Sequence, residues 1–143
     1  MKNILFVCKH NIFRSKLAEA YFNKINTNKN INSDSAGFIK ANWLTKAQRK
    51  TVKLERKAIK KKGINLKSGS KILNVKLLKK QYLIIIISND LPNIFKEEYM
   101  KKNLKVITWK IKDVTSKNYS EKNLIKTIDL IIKKVDGLVE KLK

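Results

Sequence analysis

Short apolar runs alternate along the chain with longer segments in which apolar residues recur at every third or fourth position. Such runs are typical of buried strands, and the recurring positions are typical of amphipathic helices. Residues 82–87 are apolar on both faces, as in a central strand of a parallel sheet. The pattern predicts the order β-α-β-α-α-β-α-β-α. The predicted strands cover 3–7, 30–36, 82–87 and 104–108, and the predicted helices cover 15–25, 44–62, 74–80, a segment opening at 88–92, and a last segment after 120.

Capping residues mark several of these helix ends. Gly63 follows the helix 44–62 as its C-cap. Ser88, Asn89 or Asp90 can cap the next-to-last helix, with Pro92 in its first turn. Ser120 caps the last helix. The predicted buried faces are Leu17, Ala18, Tyr21 and Ile25 in the first helix, Leu44, Ala47, Thr51, Leu54 and Ala58 in the second, and Leu124, Ile128, Ile131, Val135, Leu138 and Leu142 in the last.

Strands that alternate with helices indicate an α/β fold. We expect residues 1–143 to form a single three-layer domain, in which a four-stranded parallel sheet is flanked by helices. A chain of 143 residues is long enough for one such domain. Ligands bind at the carboxyl ends of the strands in sheets of this kind, so the loop after the first strand is the predicted site.

The charge balance narrows the possible partners. The chain has 34 Lys and Arg against 11 Asp and Glu, a net charge of +23. This favours an anionic partner, whether nucleic acid, acidic membrane or phosphorylated substrate. A compositional bias toward Lys, Ile and Asn is the alternative explanation. No recognised RNA- or DNA-binding motif is present, and aromatic residues do not interleave with the basic runs.

Cysteine usage and hydropathy exclude other classes. Cys8 is the only cysteine and His10 the only histidine. An intramolecular disulfide and a zinc site built from Cys and His are therefore impossible. The longest apolar run, 82–87, is far shorter than the roughly 20 residues of a membrane span, and the apolar residues after Met1 are too few for a signal peptide. We expect a cytoplasmic protein that has no membrane partner.

The loop after the first strand contains Cys8, and Arg14 follows six residues later. A cysteine before a helix N-terminus is favoured as the thiolate by unpaired N–H groups and the helix dipole. The backbone N–H groups from Lys9 to Arg14 can ring an oxyanion, to which Arg14 adds a planar bidentate grip. Ser15 can donate its hydroxyl to the thiolate. The alternative is that Cys8 is a small buried hydrophobic residue.

These residues resemble the low-molecular-weight protein tyrosine phosphatase family, which also contains thioredoxin-coupled arsenate reductases. His10 departs from the family's usual glycine, Phe13 stands where a second cysteine is common, and Val114 replaces the proline that typically follows the family's acidic residue. Phe13 can instead pack into the core. His10 either assists anion binding at the rim of the loop or is an exposed residue without such a role. The matching elements are Ile4-Leu5-Phe6-Val7, Cys8, Asn11, Arg14, Ser15, Ala18-Glu19-Ala20, Ser35-Ala36-Gly37, Gly63-Ile64 and Trp109 through Asp113.

The resemblance implies a role for each residue of the site. Asp113, in the loop after the fourth strand, is the implied general acid and base. Asp90 is the second candidate for this role. Asn11 is implied to hold the shape of the loop, where a positive φ can be needed. Trp43 is the implied aromatic wall, with a place in the core as the alternative, and Tyr119 is a weaker candidate for the wall. The implied catalytic residues are Cys8, Arg14, Ser15 and Asp113, and the implied phosphate- and substrate-binding residues are Lys9, His10, Asn11, Ile12, Phe13 and Trp43.

The function expected from this resemblance is phosphomonoester hydrolysis through a phosphocysteine intermediate. The expected substrate is a phosphotyrosine-containing protein or a small aryl phosphate, with inorganic phosphate as product and without a metal or organic cofactor. Two alternatives stay open. One is arsenate reduction with an external thiol, because the chain has no second cysteine. The other is an inactive scaffold of this kind that binds anions or nucleic acid, including non-specific binding to polyanions.

Overall fold

The centre of the molecule is a four-stranded sheet in the order β2-β1-β3-β4. It is seen in a computed structural model that describes residues 1–41, 44–89 and 104–143. All three strand pairings are parallel. The prediction of a parallel α/β sheet is therefore confirmed. The strands are β1 (Lys2–Cys8), β2 (Ile31–Gly37), β3 (Leu83–Ile87) and β4 (Val106–Trp109).

Side-chain caps define the starts of three helices. Thr45 and Gln48 form a reciprocal capping box at the start of the second helix, Asn74 caps the third and Ser120 caps the last. Gly63, with φ +74°, lies one residue beyond the C-cap Lys62, in the left-handed conformation that glycine adopts readily. The described helices are α1 (Arg14–Ile25), α2 (Lys46–Lys61), α3 (Val75–Lys79) and α4 (Glu121–Lys141). The helix predicted to open at 88–92 falls outside the described residues.

Among the described residues, two hydrophobic clusters cover the two faces of the sheet. On one face, Phe6 and Ile85 pack with buried residues of α1, α2 and α4, such as Phe22, Ile59 and Ile131. On the other face, residues such as Val7 and Ile86 pack against Leu78 of α3. The alternating strand positions therefore supply both layers. No helix in the described part of the chain is long and apolar enough to cross a membrane.

The face that α2 buries differs from the predicted one. The helix buries Thr51, Glu55 and Ile59, whereas Ala47 is exposed and Leu54 and Ala58 are only half-buried. The helix is rotated because its inner face covers a cavity with both charged and apolar lining residues at the end of the sheet, as well as the apolar core. The buried face of α2 therefore differs in rotation about the helix axis from the face that apolar periodicity alone predicts.

Smaller differences concern α1 and β4. In α1, Phe22 is fully buried, while the predicted core residues Tyr21 and Ile25 are only half-buried. The Tyr21 hydroxyl donates to Asp136 at 2.7 Å, which keeps the ring at the edge of the core. Strand β4 spans Val106–Trp109, whereas the sequence predicts a strand over 104–108. It lies at the edge of the sheet, and Ile107 is accordingly 40% exposed.

Candidate active site

The loop that joins β1 to α1 has the construction of an anion-binding loop. Phe13, the N-cap residue of α1, makes no side-chain capping bond, and the first turn of α1 has no acidic residue. The first N–H groups of a helix have no partner within the helix. Their positive ends therefore favour an anion at this point, next to the carboxyl end of β1.

A chain of buried hydrogen bonds ends at the sulfur of Cys8. The Ser15 Oγ lies 3.0 Å from the Cys8 Sγ. The Asn11 Nδ2 donates to the Ser15 Oγ at 2.8 Å and to the Ser35 Oγ at 2.9 Å. The Ser35 hydroxyl donates in turn to the Glu19 Oε1 at 2.6 Å. Because the Asn11 amide occupies an acceptor position of Ser15, the Ser15 hydroxyl proton is free to point at the sulfur.

The same asparagine fixes the shape of the loop. Asn11 has a φ of +55°, which is uncommon for a residue other than glycine. Its Oδ1 accepts from the Lys71 N–H at 3.0 Å, and its carbonyl accepts from the Ser70 hydroxyl at 3.0 Å. These bonds stabilise a backbone conformation that would otherwise be strained.

The end of β2 supports the loop from the other side. Gly37 pairs with Cys8 in the parallel register. A Cβ on Gly37 would lie 2.8 Å from the His10 carbonyl carbon and 2.8 Å from the Asn11 nitrogen. Only glycine allows the loop to approach the strand this closely.

Arg14 and Asp113 meet at the mouth of the loop. The Arg14 side chain is 2% exposed, and its Nη1 donates to the Ile111 carbonyl at 2.8 Å. Its Nε lies 3.5 Å from the Asp113 Oδ1, and the Asp113 side chain is 35% exposed. The segment after β4 thus carries an accessible carboxylate to the loop that follows β1.

These side chains surround a cavity of about 150 Å³. Its walls come from the loop, from α2 and from the segment after β4. The described lining residues are Cys8, Lys9, His10, Ile12, Phe13, Arg14, Leu44, Gln48, Thr51, Val52, Glu55, Asp113, Val114, Thr115 and Ser116.

Two ionisable side chains of the cavity have displaced pKa values. Burial, with a smaller contribution from Asp113, raises the pKa of Glu55 to about 8, against the opposing effect of Arg14 and Arg56. Burial and the neighbouring Lys9 lower the pKa of His10, although Asp113 acts the other way. At neutral pH, Glu55 is therefore mainly uncharged, and His10 adds no full positive charge to the rim.

The structure brings the predicted loop residues, Arg14, Ser15 and Asp113 together around Cys8. Phe13 lines the cavity but is also 4% exposed and packed in the core. Tyr119 is half-buried against the core and is not among the described lining residues. Trp43 and Asp90 lie outside the described residues.

Sequence reasoning missed Glu55 and the relation of Glu19 to Ser35. Glu55 follows Thr51 by one helical turn, which is its only sequence signal. In the sequence, Glu19 is distinguished only as part of the segment Ala18-Glu19-Ala20 that resembles the family. Its position beneath the loop depends on how α1 packs on β2, which periodicity does not report.

A family comparison identifies the class of this fold and loop as a cysteine-dependent phosphatase. The family model for low molecular weight phosphotyrosine protein phosphatase matches residues 3–143. The chain therefore belongs to that family. Comparison with curated proteins gives no significant match.

Solved structures with the same fold belong to proteins with several different activities. YwlE arginine phosphatase from Geobacillus stearothermophilus is 20% identical, with 99% of this chain and 93% of that chain covered and a TM-score of 0.78. Low molecular weight protein tyrosine phosphatase from T. tengcongensis is 22% identical, with 99% of each chain covered and a TM-score of 0.76. Arsenate reductase from Archaeoglobus fulgidus is 25% identical, with 96% and 98% covered and a TM-score of 0.66.

Proposed function

We propose that this protein hydrolyses phosphotyrosine in proteins, and small aryl phosphates, through a phosphocysteine intermediate. One observation carries the proposal: the sulfur of Cys8, hydrogen-bonded to Ser15, faces the same cavity as Arg14 and Asp113. A nucleophile, a cationic clamp and an accessible carboxylate are the groups that metal-independent phosphoryl transfer requires.

In the first step, the Cys8 thiolate attacks phosphorus in line with the ester oxygen. The S–P bond forms as the P–O bond breaks, and the electron pair of the P–O bond stays on the phenolic oxygen. The Ser15 hydroxyl and the N-terminus of α1 stabilise the thiolate. The backbone N–H groups from Lys9 to Arg14 and the Arg14 guanidinium stabilise the charge on the equatorial oxygens.

Asp113 supplies the proton that the leaving phenol needs. Its carboxyl lines the cavity and is partly open to solvent, so it can reach both a leaving group and an incoming water. In the second step, Asp113 takes a proton from that water as its oxygen attacks phosphorus and the S–P bond breaks. Inorganic phosphate leaves and the Cys8 thiolate returns.

The cavity walls favour an aryl ester over an alkyl phosphate. Ile12, Val52 and Val114 supply apolar surface beside the loop. An aromatic ring gains more from such burial than a serine side chain does. We also propose Trp43 as a flat wall at this rim. The net charge of +23 would attract acidic phosphoproteins to the site.

The test compares three peptides that differ only in the phosphorylated residue: phosphotyrosine, phosphoserine and phosphoarginine. We expect kcat/KM to be highest for phosphotyrosine, and Cys8→Ser to release no phosphate from any of them. Ser68→Ala, an exposed position outside the site that keeps the nucleophile, is the matched control and should retain activity. A preference for phosphoarginine would overturn the substrate assignment, and arsenate reduction with added thiol in place of hydrolysis would overturn the reaction.

A further inference from the structure

Glu55 is a buried acidic group of the cavity that the hydrolysis scheme does not use. It lies on α2, is 4% exposed and lines the cavity with Cys8, Arg14 and Asp113. Its Oε2 has no hydrogen-bond partner among the described residues. Burying an unpaired carboxyl oxygen costs free energy that an apolar side chain would avoid. A ligand that forms a hydrogen bond with the Glu55 carboxyl group when it binds would offset this cost.

Burial and the surrounding charges together determine the protonation state of Glu55. Asp113 and the proposed Cys8 thiolate add negative charge from the segment after β4 and from the end of β1. Arg14 on α1 and Arg56 on α2 itself act in the opposite direction. Lys9 and His10 line the same cavity from the loop, and His10 has a lowered pKa. Burial dominates this balance, so Glu55 retains its proton at neutral pH.

A bound phosphate dianion would reinforce that state. It brings further negative charge into the cavity, which disfavours ionisation of Glu55 still more. A neutral carboxyl can donate its proton to an anionic oxygen, whereas a carboxylate at the same place can only repel it.

We propose that Glu55 is a substrate-binding residue of this site, and that its neutral carboxyl group donates a hydrogen bond to the bound oxyanion. The inference rests on the proposed function, because it requires the loop after β1 to bind the anion. It follows that oxyanions leave the site as Glu55 ionises. Binding should therefore weaken through the pH range in which the proton is lost.

Inorganic sulfate is a suitable probe, since it stays a dianion across this range. Its dissociation constant is measured by calorimetry on Cys8→Ser, which removes titration of the thiol. The second protein is Cys8→Ser with Glu55→Gln, which keeps a neutral donor that cannot ionise. All other charged groups are common to both proteins, so the difference between their pH profiles isolates Glu55.

In Cys8→Ser, we expect sulfate affinity to fall about tenfold between about pH 7 and about pH 9, as a group with a pKa of about 8 loses its proton. This fall should be absent when Glu55→Gln is added. Adding Glu55→Met instead should also remove the pH dependence, but should weaken binding about tenfold at pH 7 because the donor is lost. Glu121→Gln, an exposed site, should leave the profile unchanged.

The outcomes separate this inference from the proposed function. If sulfate binding has the same pH dependence in Cys8→Ser and in Cys8→Ser with Glu55→Gln, the proposed role of Glu55 is wrong. The proposed function would not be affected by that result. Equal affinity of the Gln and Met variants at pH 7 would overturn the hydrogen bond. Failure of Cys8→Ser to bind sulfate at pH 7 would overturn the anion-binding loop, and this inference with it.

Discussion

Replacing Glu55 with glutamine should stabilise the protein, and the gain should grow with pH. The folded state holds the Glu55 proton up to a pKa of about 8, whereas the unfolded chain loses it near 4.5. Between these values the folded state binds more protons than the unfolded state. The free energy of unfolding therefore falls as pH rises from about 4.5 to about 8, and this contribution is constant above and below that window.

The size of the effect follows from the same two values. At about 1.4 kcal/mol for each tenfold change in proton affinity, the interval from 4.5 to about 8 corresponds to about 5 kcal/mol. Relaxation of the site would reduce this figure. Because a small domain has a total stability of only about 5–15 kcal/mol, even half of the effect is readily measured.

Urea unfolding of wild type and Glu55→Gln, followed by circular dichroism at several pH values between 5 and 8, measures the difference directly. The two proteins should be similar near pH 5, and the variant should be more stable by several kcal/mol near pH 8. Glu121→Gln, on the exposed first turn of α4, is the matched control and should show no such trend. A constant difference between wild type and Glu55→Gln at every pH would refute the reasoning.

Three further substitutions test the loop and its partners. Gly37→Ala should cost about 1–3 kcal/mol of stability in urea unfolding, because its Cβ would lie 2.8 Å from backbone atoms of His10 and Asn11; an unchanged midpoint would contradict the close approach. Arg14→Lys should lower kcat/KM about 10²–10³-fold, since a point charge cannot replace the planar guanidinium; near-wild-type rates would remove Arg14 from the mechanism. Where cleavage of the ester limits turnover, Asp113→Asn should lower the rate about 10²–10⁴-fold on phosphotyrosine and less on nitrophenyl phosphate. Equal losses on both substrates under that condition would argue against a general acid.

The fold was predictable because its signals are local. Strand β3 is apolar on both faces, and Ser120 marks the start of α4, so the alternation of strands and helices could be derived without tertiary information. The buried face of α2 could not, because Thr51 and Glu55 face a cavity in which polar residues are as suitable as apolar ones.

The candidate site was predictable only in part, for a related reason. The spacing of Cys8 and Arg14 lies within one strand–loop–helix unit and is visible in the sequence. The fit of Gly37 against the loop depends on the register of β1 and β2. The approach of Asp113 to Arg14 depends on the path of the chain after β4. Such contacts between distant segments are set by sheet topology, which no local pattern encodes.

The covalent intermediate on Cys8 is the central claim of this account. Wild-type protein turning over a phosphotyrosine peptide is quenched in acid during the steady state, and peptide mass spectrometry locates any phosphoryl group. We predict a phosphoryl group on Cys8, with neither this adduct nor phosphate release in Cys8→Ser. Phosphate release that continues in Cys8→Ser, or wild-type turnover without a phosphoryl group on Cys8, would contradict the account.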